Sequence, residues 1–151
     1  MRIAIACDQA CFPLKAAVLD TGQAGGHTVV DLGTHSTAPV DDPDYAEKAG
    51  GALQRGEADR AILLCGSGVG AFIAANKMQG VYACLCHDTY SAHQGVEHDN
   101  MNALCLGGRI IGIELVKEIV RAFLSVEFST EERHHRRVGK ILQLESERMT
   151  P

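Results

Sequence analysis

Short apolar runs alternate along the chain with longer segments whose apolar residues recur at helical spacing. The runs at Ile3–Cys7, Thr28–Leu32, Ala61–Cys65, Val81–Cys86 and Ala103–Leu106 predict strands. Helical periodicity lies near Pro13–Ala24, Pro43–Arg55, Val69–Lys77 and Thr89–Glu97, and further helices follow near Gly112–Ser125 and Thr130–Glu147. Alternation of this kind predicts an α/β fold with a five-stranded parallel sheet covered on both faces. Ligands in such sheets bind beyond the carboxyl ends of the strands, where loops lead into helices. No internal repeat, low-complexity tract or linker interrupts the pattern, so residues 1–151 are expected to form a single domain.

Composition narrows the class. With 46% apolar residues, 151 residues suffice for a real core, and a net charge of −5 argues against nucleic-acid or membrane-surface partners. No window approaches the ~20 apolar residues of a membrane helix. The start, Met1 to Asp8, has the pattern of a first strand and is too short for a signal peptide. Cys7, Cys84, Cys86 and Cys105 fall inside apolar runs, where a free thiol behaves as a small hydrophobe. Reduced thiols and a cytoplasmic location are therefore expected.

The chemistry concentrates where the third strand ends, in Cys65-Gly66-Ser67-Gly68-Val69-Gly70. Alternate glycines let the backbone turn tightly and free its N–H groups for an anion, with a helix N-terminus behind them. The loop lacks the Gly-Lys-Ser/Thr ending of a Walker motif, and Ala71 stands where a thiol phosphatase needs arginine. The first strand–helix turn, Asp8-Gln9-Ala10-Cys11, lacks dinucleotide-binding glycines. Cys65 would feel the loop amides and the helix dipole, which favour thiolate. A base beside an oxyanion hole is what enolisation next to a carbonyl requires.

Two other clusters stand out. His93 and Glu97 are one helical turn apart, but no third ligand follows at regular spacing, so no metal site is expected. His98, at a helix end before the fifth strand, is expected in the loop layer as a general acid/base. Arg133 and Arg137, four apart in a dense charged run, share one helix face and suit a phosphate.

Together these residues resemble the family of ribose-5-phosphate isomerase B and the galactose-6-phosphate isomerase subunits. The likeness runs from residue 1 to about 147, through Cys7-Asp8, Asp31-Leu32-Gly33-Thr34, the Cys65–Gly70 loop, Ala74-Ala75-Asn76-Lys77, Gly107-Gly108-Arg109, and Arg133-His134 with Arg137-Val138. The resemblance implies a Rossmann-like three-layer αβα sandwich, a homodimer or homotetramer with shared active sites, and a C-terminal helix reaching a partner subunit. It implies no cofactor and a small phosphorylated sugar as substrate. By resemblance, Cys65 moves the proton between C1 and C2, while Ser67 and the amides of Gly66, Gly68, Val69 and Gly70 stabilise the enediolate. His98 matches the histidine that opens the sugar ring, Asp8 contacts sugar hydroxyls, and Asp41 lies near the reacting carbons. Arg109, Arg133 and Arg137 match the phosphate grip, the last two from the neighbouring chain.

Three positions depart from the family pattern. Gln9 stands where histidine is common, Asp42 replaces tyrosine in Asp-Tyr-Pro, and His98-Asp99-Asn100 replaces His-Asn-Asp. All three fall at expected substrate contacts. Ribose 5-phosphate to ribulose 5-phosphate is the first expectation; another tetrose, pentose or hexose phosphate, or a catalytically weak binder, are the alternatives.

Overall fold

The computed structural model describes residues 1–148. The strands β1 (Arg2–Cys7), β2 (Thr28–Asp31), β3 (Arg60–Cys65), β4 (Ala83–Leu85) and β5 (Ala103–Gly107) form one parallel sheet in the order β2-β1-β3-β5-β4. The helices are α1 (Phe12–Ala24), α2 (Asp42–Gln54), α3 (Val69–Ala75), α4 (Thr89–Asp99), α5 (Ile113–Leu124) and α6 (Glu132–Arg148). A single 3₁₀ turn, Gln9–Cys11, joins β1 to α1 and had no signal in the hydrophobic pattern.

Side chains alternate across the sheet with period two, and the two faces differ in size. Ile3, Ile5, Ile62, Leu64, Leu104 and Leu106 pack into one cluster with residues of α1, α4 and α5. Ala4, Ala6, Ala61, Leu63 and Ala103 pack with the alanines of α2 and α3 on the other. Each large aliphatic side chain fully buried stabilises the fold by about 1.5–3 kcal/mol, so the first face supplies most of the hydrophobic term. The alanine face lets α2 and α3 lie close to the sheet and to each other.

Two elements are shorter than their apolar runs. The Asn76 side-chain amide donates to the Phe72 and Ala83 carbonyls and accepts from the Ala83 N–H at 3.1 Å, which ends α3 and occupies the edge of β4. Asn102 treats the start of that strand in the same way, accepting from Tyr82 N–H at 2.8 Å and donating to the Gly80 carbonyl. Side-chain amides therefore replace ladder bonds that the hydrophobic pattern assigned to strand. All six cysteines are free. Cys84, expected to behave as a core hydrophobe, is instead exposed, because β4 is an edge strand.

The chain leaves β1 toward α1 on one face and β3 toward α3 on the other. Neighbouring strands whose connections part in this way open a crevice at their carboxyl ends. Asp8 and the Cys65–Gly70 loop stand at that crevice. At the other end of the sheet, α6 packs on α4 through the buried residues His134 and Val138. Its far end is tied down by Glu145, which accepts from Tyr82 Oη at 3.0 Å and from Gly80 N–H at 2.9 Å. No helix among the described residues is long and apolar enough to cross a membrane.

Candidate active site

Cys65 is the last residue of β3 and lies opposite Gly107 of β5. Its Sγ accepts a hydrogen bond from the Gly68 N–H at 3.1 Å. Gly68 reaches back in this way because its backbone is left-handed, with φ +82°. A Cβ there would overlap the Leu85 side chain and press on the Leu106 backbone. The loop is fastened to the exit of β5 by Gly108 N–H to Cys65 O at 3.1 Å and Arg109 N–H to Gly66 O at 3.0 Å. These two bonds lay the Arg109 side chain over Gly66, where a Cβ would touch the guanidinium at 3.7 Å. The Ser67 hydroxyl is exposed and accepts from the Val69 N–H at 3.3 Å. The helix behind the loop, α3, has only seven residues, so the loop amides rather than a long helix dipole carry the positive potential.

A cleft of about 410 Å³ opens over this loop. Cys65, Gly66, Ser67 and Gly70 form its floor, and Arg109 with Ile110 forms one wall. Asp8 and Asp42 complete it. Asp8 is buried, and its Oδ1 accepts from the N–H groups of Ala10 and Cys11, so the 3₁₀ turn exists to hold this carboxylate. Asp42 opens α2, and its carboxylate presses on Gly70 so closely that a Cβ at position 70 would overlap it. The cleft thus joins a thiol, a set of backbone amides, one guanidinium and two carboxylates. Nearby, burial pushes the Cys7 thiol up to about 11 and the Cys11 thiol up to about 12, which keeps both protonated and inert.

Several expected site residues stand elsewhere. Asp41 lines a separate cavity with Val40, Tyr45 and Lys48, and it is the next residue, Asp42, that lines the cleft with Cys65. Gln9 turns away, its Oε1 accepting from the Val40 N–H at 2.9 Å and so bracing the segment that leads into α2. Gly68 and Val69 shape the loop without lining the cleft.

His98 is misplaced by the sequence argument. A segment running from a helix into a strand lies at the amino ends of the strands, opposite the layer where the cleft opens. His98, Asp99 and Asn100 precede β5, whereas Cys65 pairs with the last residue of β5. Five residues of strand span about 13 Å, so these groups cannot meet Cys65 of their own chain. Asp99 lines instead an apolar cavity of about 220 Å³ with Cys84, Tyr82, Val138 and Ile141. Arg133 and Arg137 are exposed in the first turns of α6, on the same side as His98. Arg133 pairs with Glu131 at 2.7 Å.

One contributor had no place in the sequence argument. The His87 Nε2 accepts from the Gly107 N–H at 2.9 Å, tying the exit of β4 to the residue opposite Cys65. Its position directly after a strand was the available signal. Asp42, expected from the sequence at a substrate contact, lines the cleft from the start of α2. His93 Nε2 lies 3.6 Å from Glu97 Oε2, and among the described residues no group of three potential metal ligands is present.

The ribose/galactose isomerase family model matches residues 3–141. The chain belongs to that family. It is a sugar-phosphate isomerase, an enzyme that interconverts aldose and ketose. The chain is 40% identical over 147 residues to ribose-5-phosphate isomerase B of Escherichia coli, covering 97% of this chain and 98% of that one. It is 43% identical over 130 residues to the D-erythrulose-4-phosphate isomerase of Pectobacterium atrosepticum, covering 85% of each. The solved ribose-5-phosphate isomerase B of Clostridium thermocellum superposes with a TM-score of 0.92 at 41% identity, covering 97% of this chain and 99% of that one. The α/β sheet and its helices are thus those of the family.

Proposed function

We propose that this isomerase converts ribose 5-phosphate to ribulose 5-phosphate through an enediolate, without a metal, in a cytosolic homodimer or homotetramer whose active sites are shared. The observation that carries the proposal is the Gly68 N–H on the Cys65 thiol, inside a cleft that also holds Arg109 and two carboxylates. Cys65 takes the proton from C2 as the C2–H electrons move toward C1 and the C1 carbonyl becomes an oxyanion. The amides of the loop residues that line the cleft, Gly66, Ser67 and Gly70, and the Ser67 hydroxyl receive that charge. The thiol then returns its proton to C1, and the C2 oxygen becomes the ketone as its hydroxyl proton passes to the C1 oxygen. Arg109 faces the phosphate, while Asp8 accepts from sugar hydroxyls.

The separation of its halves supports the shared site. His98 lies a strand length from Cys65 within one chain and Arg133 and Arg137 stand on the His98 side, so on this reading a second copy brings them to the cleft. Exposed apolar side chains accompany both halves: Val69 and Ile73 beside the loop, and Ile141, Leu142 and Leu144 on α6.

Asp42 favours one alternative. A carboxylate in the cleft reads hydroxyl position, and a relative at 43% identity is named for a tetrulose phosphate. The experiment is turnover in deuterated water after prolonged chelation, across tetrose, pentose and hexose phosphates. Deuterium at C1 or C2 of ribose 5-phosphate or its product, lost in Cys65→Ala, is the expected result. Exchange into no sugar would leave a binder, and activity restored only by a divalent ion would replace the enediolate route with a metal-bridged one.

A further inference from the structure

The imidazoles of His98 and His134 lie face to face, with centroids 4.1 Å apart and planes 25° from parallel. His134 is on the inward face of α6 and only 2% exposed, yet its Nδ1 is buried without a hydrogen-bond partner. Packing α6 on α4 would be served better by an apolar side chain, which leaves no unpaired nitrogen. Burial lowers the pKa of His134, and the neighbouring His98, Arg133 and Arg137 lower it further, with Glu131 acting the other way. The His134 ring covers one face of His98.

One edge of His98 is held as well, and the other is approached only loosely. The Gln94 side-chain amide lies 2.9 Å from Nδ1, and the Glu97 carboxylate lies 3.5 Å from Nε2. With the amide donating, Nδ1 is the acceptor and the ring proton sits on Nε2. Glu97 is itself fixed, since its backbone carbonyl accepts from Ser129 N–H at 2.9 Å and its carboxylate also meets His93 at 3.6 Å. Even so, the His98 side chain remains 31% exposed. An immobilised ring with an open edge is suited to directed proton transfer.

We propose that His134 is a positioning residue for His98: its buried ring, stacked on that of His98, sets the plane in which His98 presents its open edge to a sugar phosphate in the neighbouring chain's cleft. The proposal rests on the shared-site reading, in which His98 opens the sugar ring. In that step the C1–O4 bond of the furanose breaks, the anomeric hydroxyl loses its proton to become the aldehyde, and the ring oxygen takes a proton. Transfer of this kind depends on the direction of the N–H, so a tilted ring lowers the rate without weakening the grip on phosphate.

The test compares His134→Leu and His134→Phe in the full-length protein. Steady-state kinetics with ribose 5-phosphate are paired with ¹H–¹⁵N correlation spectra that report which His98 nitrogen carries the proton. His134→Leu should lower kcat by roughly 10–100-fold with KM within about twofold, and convert a single His98 tautomer into a mixture. His134→Phe, which keeps a flat ring, should recover most of the rate and the single tautomer. In a His98→Asn background, His134→Leu should cost nothing more. A raised KM with unchanged kcat would make His134 a phosphate ligand and overturn the proposal. So would equal loss in both variants, or an unaltered His98 tautomer in His134→Leu. If the parent enzyme turns over no sugar phosphate, the isomerase reading fails by itself, and the tautomer spectra still decide whether His134 orients His98.

Discussion

The Gly68 amide points at the Cys65 sulfur from 3.1 Å, three residues along the chain. That bond is possible only because the loop turns through a left-handed glycine and is stapled to the exit of β5. It places hydrogen-bond donors around the one cysteine that faces the cleft.

Replacing Cys65 by Ala should lower kcat by at least roughly 10²–10⁴-fold, the usual contribution of a general base. The fold and phosphate affinity should survive, because Cys65 contributes only a small side chain to the alanine face. Stopped-time product assays with calorimetric phosphate binding check both halves. A Cys65→Ala enzyme of near-normal rate would remove Cys65 from the mechanism.

Gly68→Ala should damage both stability and rate. A left-handed alanine costs roughly 1–2 kcal/mol, and its methyl overlaps Leu85 and crowds the Leu106 backbone. Urea unfolding should show at least that loss, and kcat should fall tenfold or more as the amide leaves the sulfur, by the loss of one charge-directed donor. An unaltered kcat would mean that this donor is incidental.

Asp42 and Asp41 are adjacent, yet Asp42 lines the cleft with Cys65 and Asp41 lines another. Asp42→Asn should therefore lower kcat/KM on the preferred sugar by about tenfold or more, the value of a hydrogen bond to a charged acceptor. Asp41→Asn should stay within about threefold of wild type. Asp42→Tyr should change the ranking of tetrose, pentose and hexose phosphates. The reverse order of effects between the two aspartates would show that the sequence match identified the right residue.

Two inactive variants should repair each other. Cys65→Ala mixed with Arg137→Ala under subunit exchange forms hybrid dimers with one doubly damaged site and one intact site. Random exchange should restore up to about a quarter of wild-type activity. Recovery of none would place all required groups in one chain.

Acid should weaken the fold through His134. Its folded-state pKa is lowered by burial from the ordinary 6.5. As pH falls through about 6.5 the unfolded chain takes up a proton that the folded chain refuses, so stability drops from there down to the folded value and is unaffected well above it. His27, lowered chiefly by burial, acts with the same sign. Urea midpoints at about pH 7.5 and about pH 5.5 should differ less in His134→Phe than in wild type. An equal difference would assign the acid sensitivity to other groups.

The alternation of short apolar runs and helical segments determined the parallel sheet, its helices and the loop at Cys65, because side-chain period and glycine spacing are local properties that need no knowledge of neighbours. Asp8, Ser67 and Arg109 were legible through the resemblance to the family, and each lies within two residues of a strand end. What only the tertiary structure decided were directions and distances. Whether Asp41 or Asp42 enters the cleft depends on how the first turn of α2 meets Gly70, a contact between segments far apart in sequence. The turning away of Gln9 depends on Val40 being within reach. Above all, the placement of His98 at the opposite end of the sheet follows from α4 running antiparallel to the strands it connects, and Arg133 and Arg137 go with it because α6 packs on α4 through His134. Composition and spacing name the residues that share a chemistry, but the length of β5 sets His98 a strand apart from Cys65, a separation that no local pattern records.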